Sequence, residues 1–200
     1  MRISGVADVQ SAVDALVAEG NFPTSDVAWM GCWTDEGGKA NPYFSEEFGS
    51  YTSVQKNVSL NLALQGTMSS YNDARLAAFF DPSSNGNYTG AISGTNFSVS
   101  ASDHGAGYWC RPAVRFNSPV YLITVSEVEF FLAEYYAKKD PSKAEAHYKA
   151  AVDASFASAG VTGADAVYGS GAAYAWDASA YKEVIGVQKW VALSGTNNFE

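Results

Sequence analysis

The clearest hydrophobic pattern in the chain lies between Ser118 and Val161, where it predicts two helices joined by a tight turn. In the first helix, apolar side chains recur three and four positions apart, which places them on one face of a helix with 3.6 residues per turn. This face is expected to pack against other parts of the chain. Its predicted members are Val125, Val128, Phe131, Leu132, Tyr135 and Tyr136.

Signals for the start and end of each helix support the same assignment. Two S/T-x-x-E capping boxes overlap at the start of the first helix, so it begins after either Thr124 or Ser126. Asp140 precedes a proline, a pair typical of an N-cap and the first helical position. Gly160 can adopt the left-handed conformation that ends the second helix. The pattern therefore predicts an antiparallel helical hairpin over residues 118–161.

The second helix of this hairpin combines small and aromatic residues on its inner face. Small residues let two helices approach closely, while aromatic residues fill the remaining space. The arrangement resembles one tetratricopeptide-type repeat, and a single repeat of that kind cannot bury its apolar face alone. Other helices must therefore cover the hairpin. The predicted inner face is Ala144, Tyr148, Ala151, Val152 and Ser155.

One further helix is predicted near each end of the chain. Residues 1–20 carry apolar positions at helical spacing and end in a glycine. Residues 177–193 predict a final helix that is capped by Asp177 or Ser179. Gly186 lies inside this helix, where glycine costs about 1 kcal/mol relative to alanine. Tertiary packing must therefore stabilise the final helix.

Residues 21–117 show little regular periodicity and are rich in Gly, Asn, Ser, Pro and aromatic residues. A stretch of about 100 residues is too long for a plain loop in a compact domain, so we expect an irregular, aromatic-rich layer. Within it, residues 57–65 alternate between polar and apolar and predict a strand. Residues 73–80 predict a short helix that is capped by the initial aspartate, and residues 89–102 predict a short hairpin.

The charge of the chain excludes one class of function. It has 12 basic and 21 acidic residues, a formal net charge of -9, and no cluster of Lys and Arg. Binding to nucleic acid requires a basic surface that neutralises phosphates. Attraction to an anionic membrane surface also requires clustered basic residues. Neither nucleic acid nor an anionic lipid surface is therefore an expected partner.

The cysteines do not predict a metal site. Cys32 and Cys110 stand 78 positions apart, without the spacing of zinc ligands. They form either one disulfide or two buried thiols, and we favour buried thiols. No apolar run approaches the ~20 residues of a membrane span, and the N-terminal residues lack the apolar core of a signal peptide.

Several segments together resemble the C-terminal part of the SusD/RagB-like outer-membrane lipoproteins. They are the helical hairpin, the following YKEVIGVQKWVAL, and the upstream NDARLAAFFDP and NGNYTG, over about residues 72–193. The resemblance implies a mainly α fold with a tetratricopeptide-like helical hairpin scaffold and a large irregular loop-rich layer, as one SusD-like domain over residues 1–200. The lipid-acceptor cysteine, the early helices and the arginine-rich segment after QKW are missing. We therefore expect a fragment of a longer protein.

The resemblance also implies a function. Proteins of this family are anchored by a lipid in the outer leaflet of the outer membrane, bind glycans or other nutrients, and deliver them to a TonB-dependent, SusC-like transporter. They are not enzymes, and no cofactor is implied. The expected role is therefore glycan capture at the cell surface, with an oligosaccharide ligand and a transporter as partners.

Aromatic residues in the irregular layer provide the candidate carbohydrate-binding site. The apolar face of a sugar ring stacks on indole or phenol rings, while its hydroxyl groups pair with neighbouring polar side chains. The same aromatic residues could instead form the core of the layer, and the resemblance does not assign binding residues. The candidates are Trp29, Trp33, Tyr43, with the adjacent Phe44, and Tyr108, Trp109 and Arg111.

Other chemistry has weaker support. Residues 81–92 have the oxygen spacing of a calcium loop, but Ile92 replaces the bidentate glutamate, so we predict a turn and no metal. His104 lies beside Asp103 but lacks the nucleophile motif of a hydrolase. Adjacent acidic pairs leave a carbohydrate hydrolase as one alternative function. A tetratricopeptide-like protein-interaction module is the other.

Overall fold

The computed structural model describes residues 9–29, 31, 33–47, 58–92 and 109–196. Within these ranges the fold is mainly helical, with two small antiparallel sheets. None of the described helices is long and apolar enough to cross a membrane. The helices are α1 Val9–Glu19, α2 Pro42–Glu47, α3 Leu62–Ser70, α4 Arg75–Phe79, α5 Val125–Tyr136, α6 Pro141–Ala159, α7 Asp165–Tyr168 and α8 Tyr181–Thr196, and the strands are β1 Val27–Trp29, β2 Phe80–Asp81, β3 Arg111–Pro112 and β4 Val120–Ile123.

Helices α5 and α6 form the predicted hairpin, and their caps are the predicted residues. The Thr124 side chain accepts a hydrogen bond from the Glu127 N–H at 3.1 Å, so the first of the two capping boxes starts α5. The Asp140 side chain accepts from the Lys143 N–H at 3.2 Å, with Pro141 beginning α6. Gly160 ends α6 with φ 68°, which is the left-handed conformation expected there.

The buried face of α6 is confirmed, and that of α5 is confirmed in part: Val128 and Leu132 are buried as predicted, but Phe131 is not. Phe131 is 44% exposed, while the adjacent Phe130 is fully buried. The prediction missed Ser126, whose hydroxyl donates to the Ala151 carbonyl of α6 at 2.8 Å and fixes which side of α5 faces inward. Phe131 instead packs beside α8, where the Lys189 ammonium lies 3.5 Å from its ring centroid.

A short sheet lies against this hairpin. Strands β1 and β4 are antiparallel, with Trp29 opposite Val120. Just before β1, the Asp26 carboxylate accepts a hydrogen bond from the Val125 N–H at 2.8 Å and another from the Ser158 hydroxyl. One carboxylate thus attaches β1 to both helices of the hairpin.

The strand predicted over residues 57–65 is wrong from Leu62 onward, where helix α3 begins, whereas Asn61 forms an isolated β-bridge with Ala91 and residue 57 lies outside the described ranges. The Asn61 side chain accepts from the Ala63 N–H at 2.7 Å, which caps a helix and draws the following residues out of an extended conformation. Leu64 and Met68 are then buried one turn apart. The short helix predicted over residues 73–80 is present as α4, but its N-cap is Ala74, which makes no side-chain cap hydrogen bond. The predicted cap, Asp73, lies one residue earlier and accepts from the Arg75 N–H at 2.9 Å.

Cys110 is a buried free thiol beneath the irregular layer, as favoured by the sequence. Its sulfur accepts from the Thr89 N–H at 3.0 Å and donates to the Asn87 carbonyl at 3.2 Å. Cys32 lies outside the described residues, as do residues 93–102, which hold most of the hairpin predicted between residues 89 and 102.

A fully buried arginine connects the irregular layer to the helices. The Arg75 guanidinium donates to the Asp73 carboxylate at 2.6 Å, to the Ser155 hydroxyl of α6 at 3.0 Å and to the Gln188 side chain of α8 at 2.8 Å. It also lies 4.6 Å from the centroid of the Phe156 ring. Arg75 thereby joins α4, α6 and α8 in the interior, and both it and Asp73 have side-chain exposures of 0%.

The amide of Gln188 extends this network. Its Nε2 group donates to the Tyr71 hydroxyl at 3.1 Å, and burial raises the pKa of that hydroxyl above its usual value. Gln188 belongs to the QKW segment and Arg75 to the DARL segment. The two most recognisable motifs of the chain therefore meet in its core.

Replacing Arg75 is expected to destabilise the fold strongly. Arg75→Met leaves the Asp73 carboxylate buried without a partner, which should cost about 3–5 kcal/mol of unfolding free energy. Arg115→Met is the matched control, since its pair with Asp81 is 54% and 43% exposed and should cost no more than about 1 kcal/mol. Urea denaturation of both variants measures the difference. Equal losses would contradict the role assigned to Arg75.

Two glycines should respond in opposite directions to alanine. Gly160→Ala forces a side chain into the left-handed region at φ 68° and should cost about 1–2 kcal/mol. Gly66 lies inside α3, and a Cβ there meets no atom within 4 Å, so Gly66→Ala should stabilise by about 0.5–1 kcal/mol. Thermal unfolding checks both signs. A stabilising Gly160→Ala would rule out a left-handed end to α6.

Candidate functional site

A small hollow beside the β2–β3 pair, here called the Trp109 cleft, brings aromatic and charged side chains together. Its volume is about 200 Å³. The strand register places Asp81 directly opposite Arg111, which brings residues from distant parts of the chain to one edge. The cleft is lined by Phe44, Asp81, Pro82, Ser84, Trp109, Arg111, Pro112, Val114 and Arg115.

An exposed ion pair forms the polar side of the cleft. The Arg115 guanidinium donates to both oxygens of the Asp81 carboxylate, at 2.6 Å and 2.8 Å. These hydrogen bonds raise the pKa of Arg115 above its usual value. The Ser118 hydroxyl accepts from the Arg115 backbone N–H at 2.8 Å and positions the residue. A rigid bidentate pair of this kind presents remaining donors and acceptors at fixed positions.

Arg111 supplies a second guanidinium with an unused donor. Burial lowers its pKa, and the Glu47 carboxylate opposes that shift. Its Nη1 atom is buried and has no hydrogen-bond partner among the described residues. An unpaired buried donor is costly. A ligand oxygen placed against this atom would satisfy it.

A larger hollow, here called the α2 groove, adjoins the Trp109 cleft. Its volume is about 710 Å³, and it shares Pro112 and Val114 with the cleft. Helix α2 lies between the two hollows, because Phe44 lines the cleft and Tyr43 lines the groove. Glu46 and Glu47 add carboxylates to the groove, and burial raises the pKa of Tyr43.

Asn41 holds helix α2 in place. Its side-chain oxygen accepts from the Tyr43 and Phe44 N–H groups at 2.9 Å and 3.2 Å, and its amide donates to the Ser118 carbonyl at 2.8 Å. Asn41 is only 3% exposed. A buried side chain that caps α2 and contacts residue 118 fixes both hollows relative to each other.

The structure gathers some of the predicted site residues and separates others. Trp109, Arg111 and Tyr43 line the two adjoining hollows. Trp29 lines neither, and it is 58% exposed on β1. Trp33 also lines neither, and its Nε1 atom is buried without a hydrogen-bond partner among the described residues. Tyr108 lies outside the residues that the structure describes.

The sequence predicted Arg111 but not the ion pair on the polar side of the site. Asp81 and Arg115 are 34 positions apart, and no local sequence pattern predicts that they form an ion pair. Asn41 had a usable signal, because an asparagine before a proline is typical of a helix start. The segment considered for calcium has other contacts: the Asp81 carboxylate binds Arg115, and the Ser83 hydroxyl donates to the Asn87 carbonyl at 2.7 Å.

The described part of the chain contains no group of side chains that is typical of a metal site. Among the described residues, no three His, Cys, Asp or Glu side chains are grouped so that they could hold a metal ion. The arrangement can instead bind a neutral, hydroxylated ring between aromatic faces and fixed polar groups.

Comparison with solved structures identifies the fold. A SusD homologue from Bacteroides uniformis matches with a TM-score of 0.73 and 23% identity, over 96% of this chain and 46% of that protein. A homologue from Bacteroides thetaiotaomicron matches with a TM-score of 0.74 and 21% identity, over 94% of this chain and 44% of that protein. A chitin-binding SusD homologue from Flavobacterium johnsoniae matches with a TM-score of 0.58 and 25% identity, over 67% of this chain and 34% of that protein.

These matches confirm the expected tetratricopeptide-like helical fold of SusD homologues. The chain spans less than half the length of the two Bacteroides proteins. Among curated proteins, none matches it significantly.

The family assignment comes from the sequence itself. The profile of a SusD-like family, described as starch-binding and associating with the outer membrane, matches residues 1–197. That range includes the hairpin, the DARL segment and the QKW segment on which the resemblance was based. The chain therefore belongs to the SusD-like family.

Proposed function

We propose that this chain is part of a non-catalytic glycan-binding protein of the outer-membrane surface, which delivers oligosaccharides to a TonB-dependent transporter. The observation that carries the proposal is the Trp109 cleft, where an indole ring lies next to a bidentate Asp81–Arg115 pair. Aromatic faces combined with fixed polar groups are what a sugar ring requires.

The two hollows bind different parts of the oligosaccharide. In the cleft, Trp109 and Phe44 contact the apolar face of one sugar ring, while Arg115 and Asp81 pair with its hydroxyl groups. The unused Nη1 donor of Arg111 pairs with a further oxygen. The adjoining α2 groove is several times larger and takes the neighbouring sugars. An oligosaccharide therefore suits the site better than a single monosaccharide.

The chemistry of the cleft favours binding without hydrolysis. Glycosidases place two carboxyl groups on either side of the scissile bond, one of them free to donate a proton. Among the described residues that line the cleft, Asp81 is the one carboxylate, and both of its oxygens accept from Arg115. Within the described lining of the cleft, Asp81 therefore lacks the second carboxyl group that hydrolysis requires, and the carboxylates of Glu46 and Glu47 lie in the α2 groove.

Family and neighbours indicate the class of ligand. The family profile is described as starch-binding, and one solved homologue is described as chitin-binding. Both polymers consist of linked hexose units with broad apolar faces. Polymers of neutral hexoses are therefore the first ligands to test.

An exposed apolar face supports the contact with a partner protein. Trp29 and Val120 lie opposite each other in the β1–β4 pair, and each strand has one further exposed apolar residue two positions away. Contiguous exposed apolar residues of this kind mark protein interaction surfaces. The face consists of Val27, Trp29, Val120 and Leu122, with exposures of 43%, 58%, 40% and 66%.

Removing the indole of the cleft should weaken glycan binding. Native affinity electrophoresis against soluble starch, glycol chitin, pullulan and xylan identifies the polymer that retards the protein. With an oligosaccharide of that polymer, Trp109→Ala should reduce the affinity by roughly tenfold or more, which is about 1.4 kcal/mol. Trp190→Ala is the matched control, because Trp190 is partly exposed on α8 and lines neither hollow.

Three outcomes would contradict the proposal. The first is that no polymer retards the protein. The second is that Trp109→Ala binds like the unmodified chain. The third, release of reducing sugar from any polymer in the panel, would show a hydrolase instead.

The apolar face should be required for association with the transporter. In outer membranes of a host that carries the complete lipoprotein, Trp29→Ser combined with Leu122→Ser should reduce co-purification of the transporter at least severalfold. Glycan affinity should stay unchanged, because neither residue lines the cleft or the groove. Undiminished co-purification would exclude this face as the contact.

A further inference from the structure

A third hollow, here called the lysine groove, lies on a different part of the molecule. Its volume is about 560 Å³, and it opens between α1, the end of α5 and the start of α8. It shares no lining residue with the Trp109 cleft or the α2 groove. The side chains that matter here are Tyr135, Lys138, Lys139, Tyr181 and Lys182, with Gly186 in the backbone of α8.

The positive charge of this groove is unusual for the chain. Only 12 of 200 residues are basic, and three of them line this one hollow. Lys139 is already neutralised, because its ammonium lies 2.5 Å from the Asp14 carboxylate. Hydrogen bonds from Lys139, Tyr135 and Gln10 lower the pKa of Asp14 to about 2, so this pair stays ionised.

The other two lysines have no such partner. Within the described residues, Lys138 and Lys182 make neither a hydrogen bond nor an ion pair. Glu134 is the one described carboxylate that lines the groove beside them. Two unpaired ammonium groups at one hollow attract an anion, and a charge-assisted hydrogen bond is about twice as strong as a neutral one.

The remaining lining favours a hydroxylated ligand. Tyr181 supplies a phenol ring, and Tyr135 supplies a second one, one face of which is covered by the Lys139 ammonium at 4.1 Å from the ring centroid. Gln10 supplies an amide, whose nitrogen also donates to Asp14. No aliphatic side chain lines the groove in the described part of the chain. An apolar peptide or a lipid chain would find little surface to bury here, whereas a sugar ring stacks on phenols and pairs with amides.

Gly186 shapes one side of the groove. It lies inside α8, where glycine is less favourable than alanine. A Cβ built on Gly186 meets no atom within 4 Å, and its φ is not in the left-handed region, so neither packing nor backbone conformation requires glycine. Because glycine has no side chain, a sugar ring in the groove can approach the backbone of α8 closely.

We propose that the lysine groove binds a carboxylate-bearing sugar, that is, a uronic acid residue of an acidic glycan. Lys138 and Lys182 hold the carboxylate, the tyrosines contact the ring, and Gly186 makes room for it. This site goes beyond the proposed function, because it adds a second glycan class at a separate location. A glycan with both neutral and acidic sugars could occupy both sites.

Isothermal titration with trigalacturonate tests the ligand class. The neutral α-1,4-galactotriose has the same ring linkage without carboxylates, and inorganic sulfate has charge without a ring. The proposal predicts that trigalacturonate binds, that its affinity falls at high salt, and that galactotriose and sulfate bind at least tenfold more weakly. Equal binding of sulfate would overturn the sugar assignment, and no binding of trigalacturonate would overturn the site.

Charge variants test the location. Lys138→Gln with Lys182→Gln should weaken trigalacturonate binding at least tenfold. Lys143→Gln with Lys149→Gln removes the same charge from lysines that contact Tyr136 and Glu145 outside the groove, and should leave the affinity unchanged. Equal effects of the two double variants would show attraction to net charge alone and would overturn the proposal.

Gly186→Ala separates binding from stability. It should raise the melting temperature, as Gly66→Ala should, yet only Gly186→Ala should weaken trigalacturonate binding. Unchanged affinity in a stabilised Gly186→Ala protein would overturn the role of the glycine. Trp109→Ala should leave trigalacturonate binding unchanged. The proposals for the lysine groove and for the Trp109 cleft can therefore be contradicted separately.

Discussion

The fold depends on one buried arginine. The Arg75 guanidinium uses its donors on Asp73, Ser155 and Gln188, which belong to three separate parts of the chain. Removal of a guanidinium from water is costly, and only a complete set of partners makes it tolerable. The helices must therefore reach their final positions together with the segment that precedes α4. A polar network of this kind specifies one arrangement of the helices more sharply than apolar packing alone.

The irregular layer is attached to the helices by similar polar contacts. Asp26 connects the start of β1 with both helices of the hairpin, and Asn41 fixes α2 against residue 118. Each is a short side chain that satisfies backbone N–H groups of a helix start. The layer can thus present Trp109 and Phe44 at defined positions although it contains little regular structure. Binding residues on a loop-rich surface need such a scaffold, because ordering them during binding would reduce affinity.

The sequence predicted the parts of the fold that are governed by local rules. Caps, prolines and helical spacing identified α5, α6 and α8, since these signals act within one or two turns. On α5, Val128 and Leu132 were placed correctly, but Phe131 was predicted to face inward where the adjacent Phe130 does so, next to the Ser126 hydrogen bond to α6. Alternation suggested a strand where Asn61 caps α3. Local side-chain contacts with the backbone decided both cases.

The candidate site was less predictable than the fold. Trp109 and Arg111 were identified from composition, but their partners come from strand pairing between segments about 30 residues apart. The segments that identified the family reach the site only in part, since Asp81 and Pro82 at the end of NDARLAAFFDP line the Trp109 cleft. Arg75 and Gln188 of these segments meet in the core and line neither hollow, so their role in this chain is structural.

The central claim is that the Trp109 cleft holds a sugar ring. A crystal structure of the protein with the oligosaccharide that it binds most tightly tests this directly. We expect a sugar ring stacked on the Trp109 indole, with hydroxyl groups on the Asp81–Arg115 pair and further sugars in the α2 groove. A bound oligosaccharide that lies elsewhere and leaves Trp109 without contact would contradict it.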